Sequence, residues 1–101
     1  MGRFQLLKLQ KFNSTRPERI ISEILKRNRI KFRAKVKFAG REVDFLVKEK
    51  FVIEIGNHPQ DPEKNKMLLE AGYHLQQLTN QEIISQDRIK LNKYLLLWLQ
   101  A

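Results

Sequence analysis

Residues 31–55 read KFRAKVKF, AG, REVDFLVK, EK, FVIEI, and the fold follows from how these pieces pair. From Lys31 to Phe38, basic and apolar side chains alternate without a break. Lys31, Arg33, Lys35 and Lys37 lie on one side, and Phe32, Ala34, Val36 and Phe38 on the other. A period of two is that of a half-buried strand. Ala39-Gly40 reads as a turn, residues 41–48 as a second strand, and Glu49-Lys50 as a second turn. Residues 51–55 form a third strand, apolar on both faces except at Glu54.

Loop length sets register. With Lys48-Glu49-Lys50 as the connection, Val47 faces Phe51, Leu46 faces Val52, Phe45 faces Ile53, and Asp44 faces Glu54. With Ala39-Gly40 as a two-residue loop, Lys35 lies opposite Asp44. Directly opposed side chains sit about 4.5–5.5 Å apart at Cβ. Two anions so placed in an otherwise apolar hairpin repel, and burying them is costly unless something pairs with them. One solution is a protein cation: Lys35 on Asp44, with Glu54 relying on Arg33, Lys66 or a proton. The other is a divalent metal, which takes hard oxygen ligands and tolerates close carboxylates. A carboxylate-held metal beside a basic strand suggests phosphodiester chemistry.

Outward from this stretch the pattern turns helical. Thr15-Arg16-Pro17-Glu18 reads as a capping box with Pro17 in the first turn. Ile20, Ile21, Ile24 and Leu25 then mark the apolar stripe of a helix over about 16–28. Residues 1–13 are expected to form a short helix or arm. On the other side a polar loop, GNHPQDP, leads to Asp61 as an N-cap with Pro62 at the first helical position. That helix runs to about Ala71 and stops at Gly72. Tyr73 to Leu78 is a fourth strand. Asn80 or Ser85 caps a last helical region, in which Ile89, Leu91, Leu95, Trp98 and Leu99 are expected to bury. The order is α-β-β-β-α-β-α, and the helix between strands three and four implies a parallel crossover. The expected fold class is α/β (α+β), a mixed four-stranded sheet flanked by helices.

At 101 residues the chain is one domain's worth, with a core over about 14–84 and a C-terminal helix over 85–101. Twenty Lys+Arg against eleven Asp+Glu leave a net charge of +9 and a pI near 10.1. Such a charge attracts polyanions, nucleic acid first. The absence of cysteine excludes disulfide scaffolds, zinc fingers and thiol nucleophiles, and fits a reducing compartment. The longest apolar run, Tyr94–Leu99, is far shorter than the roughly 20 residues of a membrane span. Met1-Gly2-Arg3 opens without an apolar leader, and a cytoplasmic protein is expected.

Several segments together resemble the PD-(D/E)xK nuclease superfamily, and within it the small Vsr-like branch. They are Pro17-Glu18-Arg19 with Ile24-Leu25-Lys26, then Val43-Asp44-Phe45, then Val52-Ile53-Glu54-Ile55 followed by Gly56 and His58. Asp61, Lys64, Leu68, Gly72 and Tyr73 follow, and then Asn80-Gln81-Glu82-Ile83. The resemblance implies a restriction-endonuclease-like core and a metal-dependent DNA endonuclease. Asp44 and Glu54 would ligate Mg²⁺ or Mn²⁺ with the Ile55 carbonyl, and Glu18 would add a carboxylate. His58 and Gln60 would stand at the mouth of the site. The signature lysine position is Gly56, so its part would fall to Lys35, Lys64 or Lys66; the branch's arginine is Gln77.

Each of these residues also has a plain structural reading. Glu18 completes a cap, His58 is a solvated loop residue, and Asp61 is an N-cap. His74 is structural. Lys31, Arg33, Lys35 and Lys37 form either a solvated face or a phosphate-contacting stripe, joined by Lys64, Lys66 and Gln60. Trp98 and its neighbours are core or a homodimer surface. The competing functions are a DNA endonuclease (with RNA as the alternative substrate), a non-cleaving nucleic-acid-binding module, and a dimeric interaction domain.

Overall fold

The structure is a computed structural model that describes residues 15–56 and 61–100. The expected N-terminal arm, His58 and Gln60 lie outside the described residues. The order is α1 (Arg16–Arg27), β1 (Phe32–Phe38), β2 (Arg41–Val47), β3 (Phe51–Ile55), α2 (Pro62–Glu70), β4 (His74–Leu78), α3 (Asn80–Ser85) and α4 (Arg88–Trp98). The sheet runs β1-β2-β3-β4, antiparallel across the two hairpins and parallel between β3 and β4. The mixed sheet and the α+β class are those expected.

The register is also the expected one, with Val47, Leu46 and Phe45 opposite Phe51, Val52 and Ile53. Phe38 pairs with Arg41 and Phe32 with Val47. Ala39 and Gly40 have φ of 51° and 81°, the left-handed pair that matches the twist of a two-residue hairpin. Alanine has no local hydrogen bond to offset that conformation. Ala39→Asn is therefore expected to raise stability by about 0.5–1 kcal/mol, read as a higher urea midpoint at unchanged slope.

Two apolar layers cover the sheet. One unites Ile20, Ile21, Ile24 and Leu25 of α1 with Phe45, Val47, Phe51, Ile53, Ile55 and Leu78, and with Ile83, Leu91, Leu95 and Leu99 from the C-terminal helices. The other is smaller, with Val43, Leu46 and Val52 packed on Leu68 of α2. Each buried Leu or Ile contributes about 1.5–3 kcal/mol relative to exposure, so α1 is held by burial. α2 buries Leu68 alone, with Met67 partly buried beside it, and exposed ion pairs at its N-terminus add to that. Arg41 Nη1 donates to both Asp61 oxygens at 2.9 and 3.0 Å, and Arg41 Nη2 to Glu63 at 3.0 Å.

The unbroken alternation of β1 is corrected by the structure. Phe32 packs in the α1-side layer, whereas Val36 and Phe38 pack in the α2-side layer. Between them Lys35 has a φ of 56°, a left-handed residue in mid-strand that moves the following side chains to the other face. The basic stripe is broken accordingly: Arg33 is engaged by Glu49 at 2.6 Å, while Lys35 turns inward.

The last helical region is two helices. Thr79 caps α3 in a capping box with Glu82, and Asp87 caps α4, where Asn80 or Ser85 was expected. Thr79 holds the Thr-x-x-Glu spacing, whereas Asn80 lacks a Glu or Gln three residues on. Ile89, expected in the core, is 77% exposed, because the break at Asp87 resets the helical phase. Trp98 is core, edge-on to Phe51 with ring centroids 5.1 Å apart.

Candidate active site

The backbone ladder between β2 and β3 stops at Phe45 and Ile53. Beyond it two carboxylates bridge the strands. The Asp44 amide donates to Glu54 Oε2 at 2.9 Å, and the Ile55 amide donates to Asp44 Oδ2 at 2.7 Å. Each acidic side chain thus satisfies an amide on the opposite strand, and the two meet at the split in the sheet.

Their remaining oxygens face cations from opposite layers. On the α1 side, Lys35 Nζ stands 2.7 Å from Glu18 Oε2 and 3.5 Å from Asp44 Oδ1. On the α2 side, Lys64 Nζ donates to Glu54 Oε1 and to the Glu42 carbonyl at 3.2 Å. The side chains of Glu54 and Lys64 are 7 and 13% exposed, so water screens that pair poorly, whereas Lys35 is 48% exposed and its pairs with Glu18 and Asp44 are partly screened. Among the described residues, these ion pairs set three carboxylates against two ammonium groups, in a chain of net charge +9.

The expected Lys35–Asp44 pair is therefore present, but Glu18 is the tighter partner. Glu54 draws Lys64, where Arg33, Lys66 or a proton was expected. The helical spacing held this signal: Lys64 precedes the buried Leu68 by four residues and shares its face, while Lys66 is rotated away and exposed. Lys31 and Lys37 are exposed as well. Arg41, which ties β2 to the start of α2, went unremarked in the sequence.

Glu18 performs both roles open to it. Its Oε1 accepts from the Thr15 amide at 3.0 Å, closing the α1 capping box, and its Oε2 accepts from Lys35. Burial pushes its carboxyl pKa up, but the Lys35 ammonium and the Thr15 amide outweigh that and hold it below the usual range. Burial likewise pushes Lys35 down, and Glu18 and Asp44 reverse it, leaving the ammonium above its usual range. The stability contributed by Glu18 is thus present above about pH 4.3 and lost as pH falls through its lower folded value. That from Lys35 is present below about pH 10.4 and lost as pH rises through its higher folded value. Unfolding midpoints should form a plateau between these limits, and Glu18→Gln should lower the plateau and soften its acid edge.

Asp61 is the α2 N-cap, accepting from the Lys64 amide at 3.1 Å. That bond, and then Arg41, hold its carboxyl below the usual range. His74 stacks on Phe51 with centroids 4.8 Å apart, a packing role as expected. Gln77 lies in β4 opposite Glu54 and reaches the Gly56 carbonyl at 3.4 Å. Gly56 itself has a φ of 127°, a conformation that residues with a side chain rarely adopt. The backbone at Gly56 thus disfavours any residue with a side chain.

Among the described residues no group of three or more His, Asp or Glu is arranged to hold a metal ion. None of their helices is long and apolar enough to cross a membrane.

Among solved structures the chain is similar to the catalytic domain of the homing endonuclease I-Bth0305I. The TM-score is 0.63 at 25% identity, over 81% of this chain and 91% of that one. The fold is endonuclease-like. No family model matches the chain, and no curated protein matches it. Within this endonuclease-like fold, the carboxylate bridge occupies the split between two central strands, with α1 and α2 each delivering a charged side chain to it.

Proposed function

We propose that the chain is a metal-dependent DNA endonuclease of the PD-(D/E)xK superfamily, in its Vsr-like branch. The observation that carries this reading is the Asp44–Glu54 bridge, a pair of carboxylates at the heart of a basic domain. The similarity to a homing endonuclease catalytic domain supports it. Carboxylate oxygens are the donors a hard divalent cation takes: Asp44 and Glu54 would hold Mg²⁺ or Mn²⁺ in place of the Lys35 and Lys64 ammonium groups that face them in this structure, with the Ile55 carbonyl as the further ligand implied by the resemblance. Such an ion, when bound, polarises the phosphate and lowers the pKa of the attacking water.

The chain's own residues supply the rest. Lys64 takes the part of the signature lysine, presenting an ammonium beside Glu54 that can donate to a phosphate oxygen. Lys35, held by Glu18, orients Asp44 and balances its charge. The exposed Lys31, Lys37 and Lys66 neutralise backbone phosphates, which positions a duplex without reading its sequence. His58 and Gln60 lie outside the described residues, and the resemblance would place them at the mouth of the site.

Incubation with supercoiled plasmid tests the reading. Nicking should require Mg²⁺ or Mn²⁺ and should disappear in Asp44→Asn and Glu54→Gln variants that remain folded by circular dichroism. Undiminished nicking in both variants overturns it. Salt-sensitive DNA binding with no nicking by the wild type would favour the non-cleaving module instead.

A further inference from the structure

A groove of about 290 Å³ opens between α1 and the β1–β2 hairpin, immediately beside Asp44. Glu18 and Lys35 line it with Asp44. Phe32, Phe45 and the exposed Ala34 give it apolar surface, Ser22 a hydroxyl, and Arg19 and Lys26 positive charge.

We infer that this groove is a subsite for one unpaired nucleotide flanking the scissile phosphate, and that the preferred substrate is DNA with a bulge or single-stranded flank. The inference rests on the proposed nuclease reading and narrows its substrate class. A duplex about 20 Å across does not enter so small a groove, whereas a single base lying against an aromatic and a small apolar side chain does. Arg19 and Lys26 meet the backbone charge of that nucleotide. Room for the base depends on two features. Ala34 is the small residue of β1, and Lys35, left-handed in its backbone, is held by Glu18. Extrusion of a base already unpaired costs little, which makes the subsite selective for damaged, bulged or branched DNA.

The test is fluorescence anisotropy with the whole chain in EDTA, so that binding is read without cleavage. The probes are a labelled duplex with a one-nucleotide bulge and the fully paired duplex of the same sequence, at one salt concentration. The bulged duplex should bind about tenfold more tightly, the gain of one stacked base. Ala34→Trp and Ser22→Tyr, which plug the groove from opposite walls, should each abolish that preference while leaving paired-duplex affinity and the melting temperature unchanged. Equal wild-type affinity for the two probes overturns the inference, as does a preference retained in either folded variant. Should Ala34→Trp melt early, Ser22→Tyr decides alone. Metal-dependent nicking without a bulge preference removes the subsite and leaves the nuclease; a bulge preference without nicking removes the nuclease and leaves the subsite.

Discussion

Glu54→Ala should cost about 3 kcal/mol of folding stability. Breaking a buried ion pair by deleting one partner typically costs about 3–5 kcal/mol, because the other charge is left uncompensated. Lys64 is 13% exposed and loses its carboxylate, and the Asp44 amide loses its acceptor. The lower end of that range applies because Lys64 keeps the Glu42 carbonyl and a flexible stem at the start of a helix. The double variant Glu54→Ala/Lys64→Met should recover about half of the loss, leaving about 1–2 kcal/mol for the orphaned amide. Urea unfolding of wild type, both singles and the double measures this cycle. A double variant as unstable as the sum of the singles would show that the two side chains act independently.

Leu25→Ala should be at least as damaging, at about 3–5 kcal/mol, the upper part of the usual range for a buried leucine. Leu25 is fully buried in the larger apolar layer, where α1, the sheet and the C-terminal helices converge. Walls drawn from so many elements cannot easily collapse into the space left behind. At about 4–8 °C per kcal/mol for a domain of this size, the melting temperature should fall by well over 8 °C. Leu69→Ala, at a residue 57% exposed on α2, should change stability by less than about 0.5 kcal/mol. Comparable losses at the two positions would contradict the assignment of the core.

The hairpins and their register can be read from residues 31–55 because a two-residue period and short turns leave little freedom. That is why Asp44 and Glu54 could be paired before any coordinates. The capping boxes at Thr15 and Thr79 are equally local, although Asn80, beside the second, competes with Thr79 as a capping residue type. Two features resist reading. A lysine with φ of 56° carries no signature in its side chain, since surrounding contacts impose the conformation. The partner of Glu54 lies ten residues onward across a loop and half a helical turn, so choosing Lys64 over Lys66 needs the rotational phase of α2. Ile89 shows the same weakness: an unseen break at Asp87 was enough to turn it to solvent. The roles of His58 and Gln60 rest on chain position beside Gly56.

The left-handed residue in β1 also bears on how the molecule behaves in a crowd. β1 is the outer strand of an open sheet, and such a strand offers unpaired amides and carbonyls to any neighbouring polypeptide. At Lys35 that row swings out of line, and a fifth strand could follow it on one side of the kink or the other but not across both. With Lys31 and Lys37 flanking the interruption, pairing of a second copy along this border meets both a change of shape and like-charge repulsion.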